Sequence, residues 1–532
     1  MSGGRAPLDP AALQVLVARL DGVAEEVSAV LRRAAFSPNI KERADCSSAV
    51  FSPAGELVAQ AENIPVHLGA MPASVAAVLE AMDEVGAVPT AGEQWIVNDP
   101  FAGGTHLNDI TVVAPCLVDG ALVGWVANRA HHADVGGSAP GSMPAGATEV
   151  FEEGLRLPPV RLGEDVRAVL LANSRTPAER GGDIDAQVGA NVRGVARLAE
   201  VVAGLGGPAA AAGRLDEVLA YGERRMVAAL ADLPDGTWWF EDHLDSSGPD
   251  PDQQHAVAVR AEVTVDGGSV TVDLRGSGDQ QPGNVSAPVA VTTSAVAFAL
   301  RSALDPTLPA NGGCLRPVRV LTRPGSVVDA LAPAAVGAGN VEVSQRVADV
   351  CFGALAQVVP AHVGAASQGT MNNVLLGGHD ADGAWVYYET VGGGQGGRPT
   401  RSGMSGVHTA MTNTKNTPIE ALERAFPLRV LRQRLRRGSG GAGSAPGGEG
   451  IERDLQVLVD ATVSLITERR VSQPWGLAGG ESGAVGENWL LPGGDEDRAE
   501  RLPDKCTVHL KAGDVVRMLT PGGGGWGVPA EG

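Results

Sequence analysis

Between Leu13 and Leu31 the apolar residues Leu13, Val15, Leu16, Leu20, Val23, Val27 and Leu31 recur every three or four positions, the period of a stripe along one helix. Residues 9–35 are therefore expected to form an amphipathic helix. The pattern then shortens. SSAVFSP and ELVAQA flank Ala54-Gly55, a hairpin over 45–58, and PVHLGAMPASVAAVLEAM leads from a loop into a second helix. After WIVNDP come two apolar runs of strand length, ITVVAPCLV and ALVGWVANRA, joined by Asp119-Gly120. That dipeptide favours a tight hairpin turn. GGSAPGSMPAGATEVFEEGLRLPPV is too rich in Gly and Pro for a regular element and reads as a candidate binding loop.

Helical segments at about 183–205 and 211–231 close this first region. GTWWFEDHL, AVAVRAEVTVDGGSVTVDLRG and PVRVLTR then alternate as strands, predicting an antiparallel sheet module around 234–330. Residues 341–358 return to a helical pattern. Beyond them, strands such as AWVYYETV mix with helices such as PIEALERAF, and the tail from DLQVLVDATVSLITERR to DVVRMLTPGGGGWG again suggests antiparallel strands. GSGGAGSAPGGEG (438–450) reads as an exposed flexible loop. The expectation is an α+β chain with three regions, 1–232, 233–330 and 331–532.

Composition narrows the class. A chain of 532 residues has room for two or three domains and a sizeable core. Its 41 basic and 62 acidic residues give a net charge of −21, which opposes nucleic acid and anionic membrane surfaces as partners. Five scattered cysteines, Cys46, Cys116, Cys314, Cys351 and Cys506, include no CxxC pair and fit a reducing cytoplasm. The N-terminal segment lacks the apolar core of a signal peptide, and no run of eighteen apolar residues follows. The 72 glycines amount to about twice the usual share of about 7%, which predicts many turns, bulges and backbone-lined loops.

The candidate chemistry gathers at the mouth of the Asp119-Gly120 hairpin. NDPFAGGTHLNDITVV and NRAHHADVGG place His106, Asp109, His131, His132 and Asp134 there, a set of imidazoles and carboxylates suited to Zn, Mn or Fe as a divalent metal. A strict two-residue loop puts Asp109 opposite Ala130 and His132 on its face. A loop one residue longer puts His131 there instead, and the local pattern leaves that choice open. His67, in PVHLGAM, is a candidate further ligand or substrate contact. Two GxGxxG matches, Gly392-Gly394-Gly397 and Gly522-Gly524-Gly527, open no helix and are not read as a dinucleotide site. No GK[ST] phosphate loop and no GxSxG elbow occurs. Residues 468–488, with Arg469, Arg470 and Trp475, are read as a structural glycine-rich turn whose arginines face water, ahead of an anion- or substrate-binding loop. The polar stretch 387–423, with Glu389, Gln395, Arg398, His408, Asn413, Asn416 and Thr417, reads as lining a site or interface.

Several motifs in order, SPNIKERADCSSAVF, IPVHLGAMPASV, NDPFAGGTHLNDI, NRAHHADVGG, EGLRLPPV, NTPIEALE, ERRVSQPWGLAGGESG and TPGGGGWG, resemble the hydantoinase B/oxoprolinase family over about residues 8–528. The resemblance implies a B-type subunit of a cytoplasmic hetero-oligomer that opens cyclic amides. An A-type subunit would bind ATP-Mg and phosphorylate the substrate, and the B-type subunit would complete ring opening at a divalent metal with activated water. It implies His106, Asp109, His131 and Asp45 as metal ligands, preferring His131 and hence a longer loop or a bulge. His132 and Asp134 would then act behind the ligands or on substrate. The same resemblance covers subunits of acetone and acetophenone carboxylases, the second reading. A scaffold for the A-type partner is the third.

Overall fold

The computed structural model describes residues 8–61 and 63–529; residues 1–7, part of the segment read above as unlike a signal peptide, lie outside them. The stripe of Leu13, Leu16, Leu20, Val23, Val27 and Leu31 is buried on the helix Pro10–Ala34, which Asp9 caps by accepting from the Ala11 and Ala12 amides. Val15, expected on that stripe, is 60% exposed, because its position falls on the flank of the face that meets the sheet.

That sheet positions the site. Its strands are β1 (Cys46–Phe51), β2 (Leu57–Ala61), β3 (Trp95–Val97), β4 (Asp109–Val118), β5 (Ala121–His131) and β6 (Val160–Arg161), in the order β2-β1-β5-β4-β3-β6 and antiparallel throughout. The helices Pro10–Ala34 and Pro177–Gly204 cover one face, against Cys46, Val50, Cys116, Val126 and Ala130. The helix Ala70–Glu84 covers the other through Met71, Val75, Val78 and Met82, against Ala49, Phe51, Val97, Val113 and Ala127. Residues 65–84 are apolar and long enough to cross a membrane, but here their apolar side is taken up by this core. Both faces being buried explains why β4 and β5 read as near-continuous apolar runs.

The expected module at 234–330 holds β7 (Gly236–Leu244), β8 (Val257–Asp266), β9 (Ser269–Asp273) and β10 (Val318–Leu321), ordered β10-β9-β8-β7. Two features differ from the expectation. β10 pairs β9 in parallel, because the chain between them crosses over through a helix, Val289–Leu304, that the strand pattern did not reveal. The predicted helix around 341–358 appears at Ser344–Leu355, preceded by a π turn at Gly339–Val343. Two further sheets follow. One has β11 (Asn373–Asp380), β12 (Gly383–Thr390), β15 (Ala461–Ile466) and β18 (Lys505–Leu510). The other has β13 (Leu428–Arg436), β14 (Gly450–Val457), β16 (Glu487–Leu491), β17 (Glu500–Leu502) and β19 (Val515–Leu519). The architecture is α+β. Its largest apolar cluster draws on Ile64, Val66 and Met143 as well as on residues from Met226 to Ile466, Tyr388 included.

Two stretches expected at the surface, and the candidate binding loop, are partly buried. Residues 438–450 lie alongside 392–397, 474–486 and 521–527 as backbone packed on backbone: the Gly394 amide donates to the Pro521 carbonyl (3.0 Å), Gly441 to Gly523 (2.9 Å), Gly448 to Gln395 (2.8 Å) and Gly525 to Glu481 (2.8 Å). A Cβ on Gly394 would lie 2.1 Å from the Gly448 oxygen, so close approach, and not turn geometry, demands the glycine. Arg469 and Arg470 do not face water. Arg469 is fully buried between Asp242 (2.6 Å) and Asp349 (2.7 Å), and Arg470 donates to Asn372 and Asn488 (2.8 Å each); the carboxylates and amides come from distant segments that no local pattern announces. The stretch 136–160, a candidate binding loop, buries Met143, Ala145, Val150 and Glu153, whose carboxylate accepts from the Val336 and Gly337 amides.

At Asp119 (φ 50°) and Gly120 (φ 78°) the hairpin turn has the left-handed geometry the dipeptide favours. Val118 pairs Ala121 and Leu117 pairs Leu122, but Cys116 pairs Gly124, so Val123 is an extra residue on β5. Gly124 sits at this bulge because a Cβ there would be 2.4 Å from the Phe51 carbonyl oxygen of β1. Gly124→Ala is expected to destabilise the chain by about 1–3 kcal/mol, read as a lower urea midpoint with unchanged slope.

Candidate metal centre

The bulge decides which histidine faces the site. Beyond it every pairing is shifted by one, so Asp109 pairs His131 and Ile110 pairs Ala130. A two-residue turn thus coexists with His131 facing Asp109, because Val123 supplies the offset. His131 and Asp109 thus point to the face covered by the helix Ala70–Glu84, while His132 points to the opposite layer. His106 reaches the same spot from the loop 98–108. That loop is folded tightly: Asn98 donates to the Leu107 carbonyl (2.7 Å), and Gly103 (φ 80°) lies where a Cβ would be 2.3 Å from the Ala73 backbone.

One ligand atom from each of His106, Asp109 and His131 lies within 4.8 Å of the others, and all three residues are buried. The two oxygens of Asp109 have different tasks. Oδ2 accepts from the Thr105 hydroxyl and stands 3.3 Å from His67 Nε2, and His67 Nδ1 is 2.9 Å from the Ser47 hydroxyl. Oδ1 lies 3.4 Å from His106 Nε2 and 3.5 Å from His131 Nδ1 and has no hydrogen-bond donor among the described residues. Among the described residues His106 Nε2 is likewise buried without a hydrogen bond, and so is His131 Nε2, the ring nitrogen farther from Oδ1. Two imidazoles and a carboxylate oxygen with unspent lone pairs at one point fit a divalent cation. The Thr105 and His67 contacts are the kind that fixes a carboxylate ligand's orientation.

Electrostatics suit the same purpose. Burial alone would raise the Asp109 carboxyl, but His106 and His67 beside it hold it well below the usual carboxylate range. Burial pushes His131 down to about 3, leaving its imidazole neutral, the form that binds metal. Asp45 sits next to the group without belonging to it. Its carbonyl accepts from the His131 amide (3.0 Å) and its carboxylate is 3.9 Å from Arg43. Burial, opposed by Arg43, pushes its carboxyl up to about 7.

Several residues at the site were not singled out in the sequence. Tyr388 of β12 stacks on His131 with ring centroids 4.3 Å apart and 11° between planes, and the Arg43 guanidinium lies 4.8 Å from the Tyr388 ring. Arg43 also donates to the Tyr388 carbonyl (3.0 Å) and the Thr390 hydroxyl (2.8 Å). Arg43, Ser47 and Thr105 lie inside stretches quoted above but belong to no ligand pattern, and Tyr388 lies in a segment read only as a strand, in which both tyrosines are buried. Of the polar stretch 387–423, Glu389 is buried against Arg453, and His408 lies 3.1 Å from Asn416, with Arg43 as an electrostatic neighbour.

Two expected site residues stand elsewhere. His132 Nε2 is 2.9 Å from Gln187 Oε1, while Gln187 Nε2 donates to the Ile110 carbonyl, so the Gln187 amide joins the helix Pro177–Gly204 both to β4 and to the imidazole just beyond β5. The Asp134 carboxylate accepts from the amides of Gly136, Gly141 and Arg175 and from the Arg175 guanidinium (2.8 Å). It shapes the loop 134–142. Neither reaches the cluster, because the bulge sends His132 through the sheet and the chain turns away beyond it.

An α+β chain with a buried His–Asp–His cluster between a sheet and its covering helix is a candidate metalloprotein. Residues 9–529 match the profile of the Hydantoinase B/oxoprolinase family, and the chain belongs to that family. It is 36% identical to 5-oxoprolinase 1 of Arabidopsis thaliana over 98% of its own length, and it spans 42% of that longer protein. It is 31% identical to the putative B subunit of a D-/L-hydantoinase from a Pseudomonas strain, over 98% of this chain and 91% of that one. Among solved structures, ATP-dependent caprolactamase from Pseudomonas jessenii superposes with a TM-score of 0.90 at 27% identity, over 98% of this chain and 92% of that one.

His132 supplies a pH test. Burial and the nearby Arg180 push it down to about 4 from 6.5, so between those values the unfolded chain binds the extra proton. Its contribution is complete above 6.5 and is lost as pH falls toward 4. In metal-free protein, urea unfolding should show the native chain losing about 1 kcal/mol more than His132→Gln on going from about pH 6 to about pH 5.

Proposed function

We propose that this chain is the metal-bearing B-type subunit of an ATP-dependent hydrolase of cyclic amides. The observation that carries the reading is the convergence of one ligand atom each from His106, Asp109 and His131 within 4.8 Å in a buried site. The family supports the substrate class, through relatives named 5-oxoprolinase, hydantoinase and caprolactamase. ATP would be bound by an A-type partner. The Pseudomonas relative, named as one subunit of a hydantoinase, supports that division, and so does the lack of a GK[ST] loop here.

In this reading His106, Asp109 and His131 hold a divalent ion, with Asp45 as the fourth ligand. When bound, such an ion supplies Lewis acidity, which acidifies water and polarises an acyl oxygen. The chain's own residues set the conditions for it. Thr105 and His67 fix Asp109 so that Oδ1 faces inward. Tyr388, braced by Arg43, fixes the plane of the His131 ring. Burial keeps His131 neutral and keeps bulk water away from the centre, where electrostatic interactions are correspondingly strong. Asp45, whose carboxyl burial pushes up to about 7, is the group that would give up its proton on joining a cation.

The test is reconstitution of the chain with an A-type partner, ATP, and hydantoin, 5-oxoproline or caprolactam. Ring opening without bicarbonate is the expected result; a strict need for bicarbonate would establish the carboxylase reading instead. Asp109→Ala should lower the bound metal to less than about one-tenth equivalent and turnover by more than the roughly 100-fold upper limit typical of residues behind a ligand. Metal loss with full turnover would leave only the scaffold role. His67→Ala should weaken metal affinity by about 10–100-fold, measured by competition with a chromogenic chelator; an unchanged affinity together with a raised KM would make His67 a substrate contact.

A further inference from the structure

Of the three side chains in the cluster, His106 has the least support of its own. Asp109 is fixed through Oδ2 by Thr105 and His67, and the His131 ring lies against Tyr388. Neither ring nitrogen of His106 makes a hydrogen bond among the described residues. Its place is therefore set by the backbone of the loop 98–108. That loop meets the helix Ala70–Glu84 so closely at Gly103 that a Cβ there would lie 2.3 Å from the Ala73 backbone. At the same contact the Gly103 carbonyl accepts from the Ser74 hydroxyl (2.8 Å).

Arg129 closes this contact from the sheet. It stands on β5 two residues before His131, on the same face, and is fully buried. Its Nε donates to the Thr111 hydroxyl of β4 (2.8 Å), and its Nη2 to the Ser74 hydroxyl (2.7 Å), the Ala70 carbonyl (3.3 Å) and, at 3.5 Å, the Gly103 carbonyl. All these acceptors are neutral, and Nη1 has no hydrogen bond among the described residues. Asp109 is the carboxylate in its electrostatic neighbourhood. Burying a guanidinium among neutral acceptors is costly, and an apolar side chain of similar length would fill the space without that cost. What the guanidinium adds is a rigid planar fork. It joins the strand of His131, the covering helix and the loop of His106 at one point.

We propose that Arg129 is a positioning residue of the metal centre: through Ser74 and the Gly103 carbonyl it holds the loop of His106 at a fixed distance from β5, so that His106 and His131 meet at one cation. This deepens the function proposed above and rests on its metal reading. Charge and position predict opposite signs. Removing a positive charge near Asp109 would by Coulomb's law strengthen cation binding, whereas releasing the loop weakens it. The test is the Zn²⁺ affinity of the full chain, measured by competition with a chromogenic chelator. Arg129→Met is expected to weaken it about 10–100-fold, and Arg129→Lys, which keeps the charge but loses the fork, by a similar factor. Ser74→Ala should weaken it roughly tenfold. The double variant Ser74→Ala/Arg129→Met should lose about as much as Arg129→Met alone, because both act through the same carbonyl. In metal-free protein the amides of residues 101–106 should exchange hydrogen faster in Arg129→Met than in the native chain. Melting temperature reports folding, and if the Arg129 variants do not fold, Ser74→Ala decides. Unchanged or tighter Zn²⁺ binding in Arg129→Met, native affinity in Arg129→Lys, or unchanged binding in Ser74→Ala where it decides, overturns the proposal. A lower melting temperature with unchanged affinity leaves Arg129 a role in stability alone. The two readings fail separately. Zn²⁺ bound equally by the native chain and the Arg129 variants, but lost in Asp109→Ala, removes the positioning role and keeps the metal centre. Zn²⁺ affinity that Asp109→Ala does not lower removes the metal centre, and the positioning role with it.

Discussion

The site depends on a single register offset. Side chains alternate across a strand, so one extra residue exchanges everything beyond it between the two faces of the sheet. Val123 is that residue. With it, Asp109 and His131 share a face and meet His106 under the helix Ala70–Glu84. Without it, His132 would take the place of His131, and Gln187 would lose the partner that ties the helix Pro177–Gly204 to the sheet. Adjacent histidines therefore serve two layers of the fold. Gly124 makes the offset possible by letting the Phe51 carbonyl approach the bulge.

A second constraint is the number of charges taken inside. Arg43, Arg129, Arg346, Arg469 and Lys505 are among the largest fully buried side chains. Such groups persist only with compensating charges and hydrogen bonds. Lys505 has Glu468 at 2.6 Å and Asp504 at 2.8 Å, and Arg346 and Arg469 share Asp242 and Asp349. These pairs join β7, the helix Ser344–Leu355 and the segment 468–470. The centre combines ligands from β4, β5 and the loop before them with a ring supplied by the distant strand β12.

The glycines divide into two physical kinds. At Gly103, Gly120 and Gly124 a turn or a close contact shapes the hairpin and the loop that carries His106. In the four segments around 394, 441, 480 and 524, glycine allows backbones to hydrogen-bond side by side with no room for a Cβ. That second use explains why two GxGxxG matches occur away from any helix start. It also holds in place, by backbone hydrogen bonds, a stretch that reads as an exposed flexible loop, although Gly438, Ala442, Ser444 and Pro446 stay exposed.

Local pattern was enough for the hairpin turn, the helix Pro10–Ala34, the α+β class and the gathering of His106, Asp109 and the two histidines at one hairpin mouth, because each follows from residue spacing within a short stretch of chain. The resemblance to the hydantoinase B/oxoprolinase family supplied the preference for His131. The helix Val289–Leu304 escaped because its apolar residues surround it almost completely and leave little amphipathic period. The parallel pairing of β10, the burial of Arg469 and Arg470, and the stacking of Tyr388 on His131 were invisible for another reason: each depends on partners far away along the chain. The sequence by itself determined which donor groups cluster; the tertiary structure alone decided which of them face one another, since facing is set by register and by contacts between distant segments.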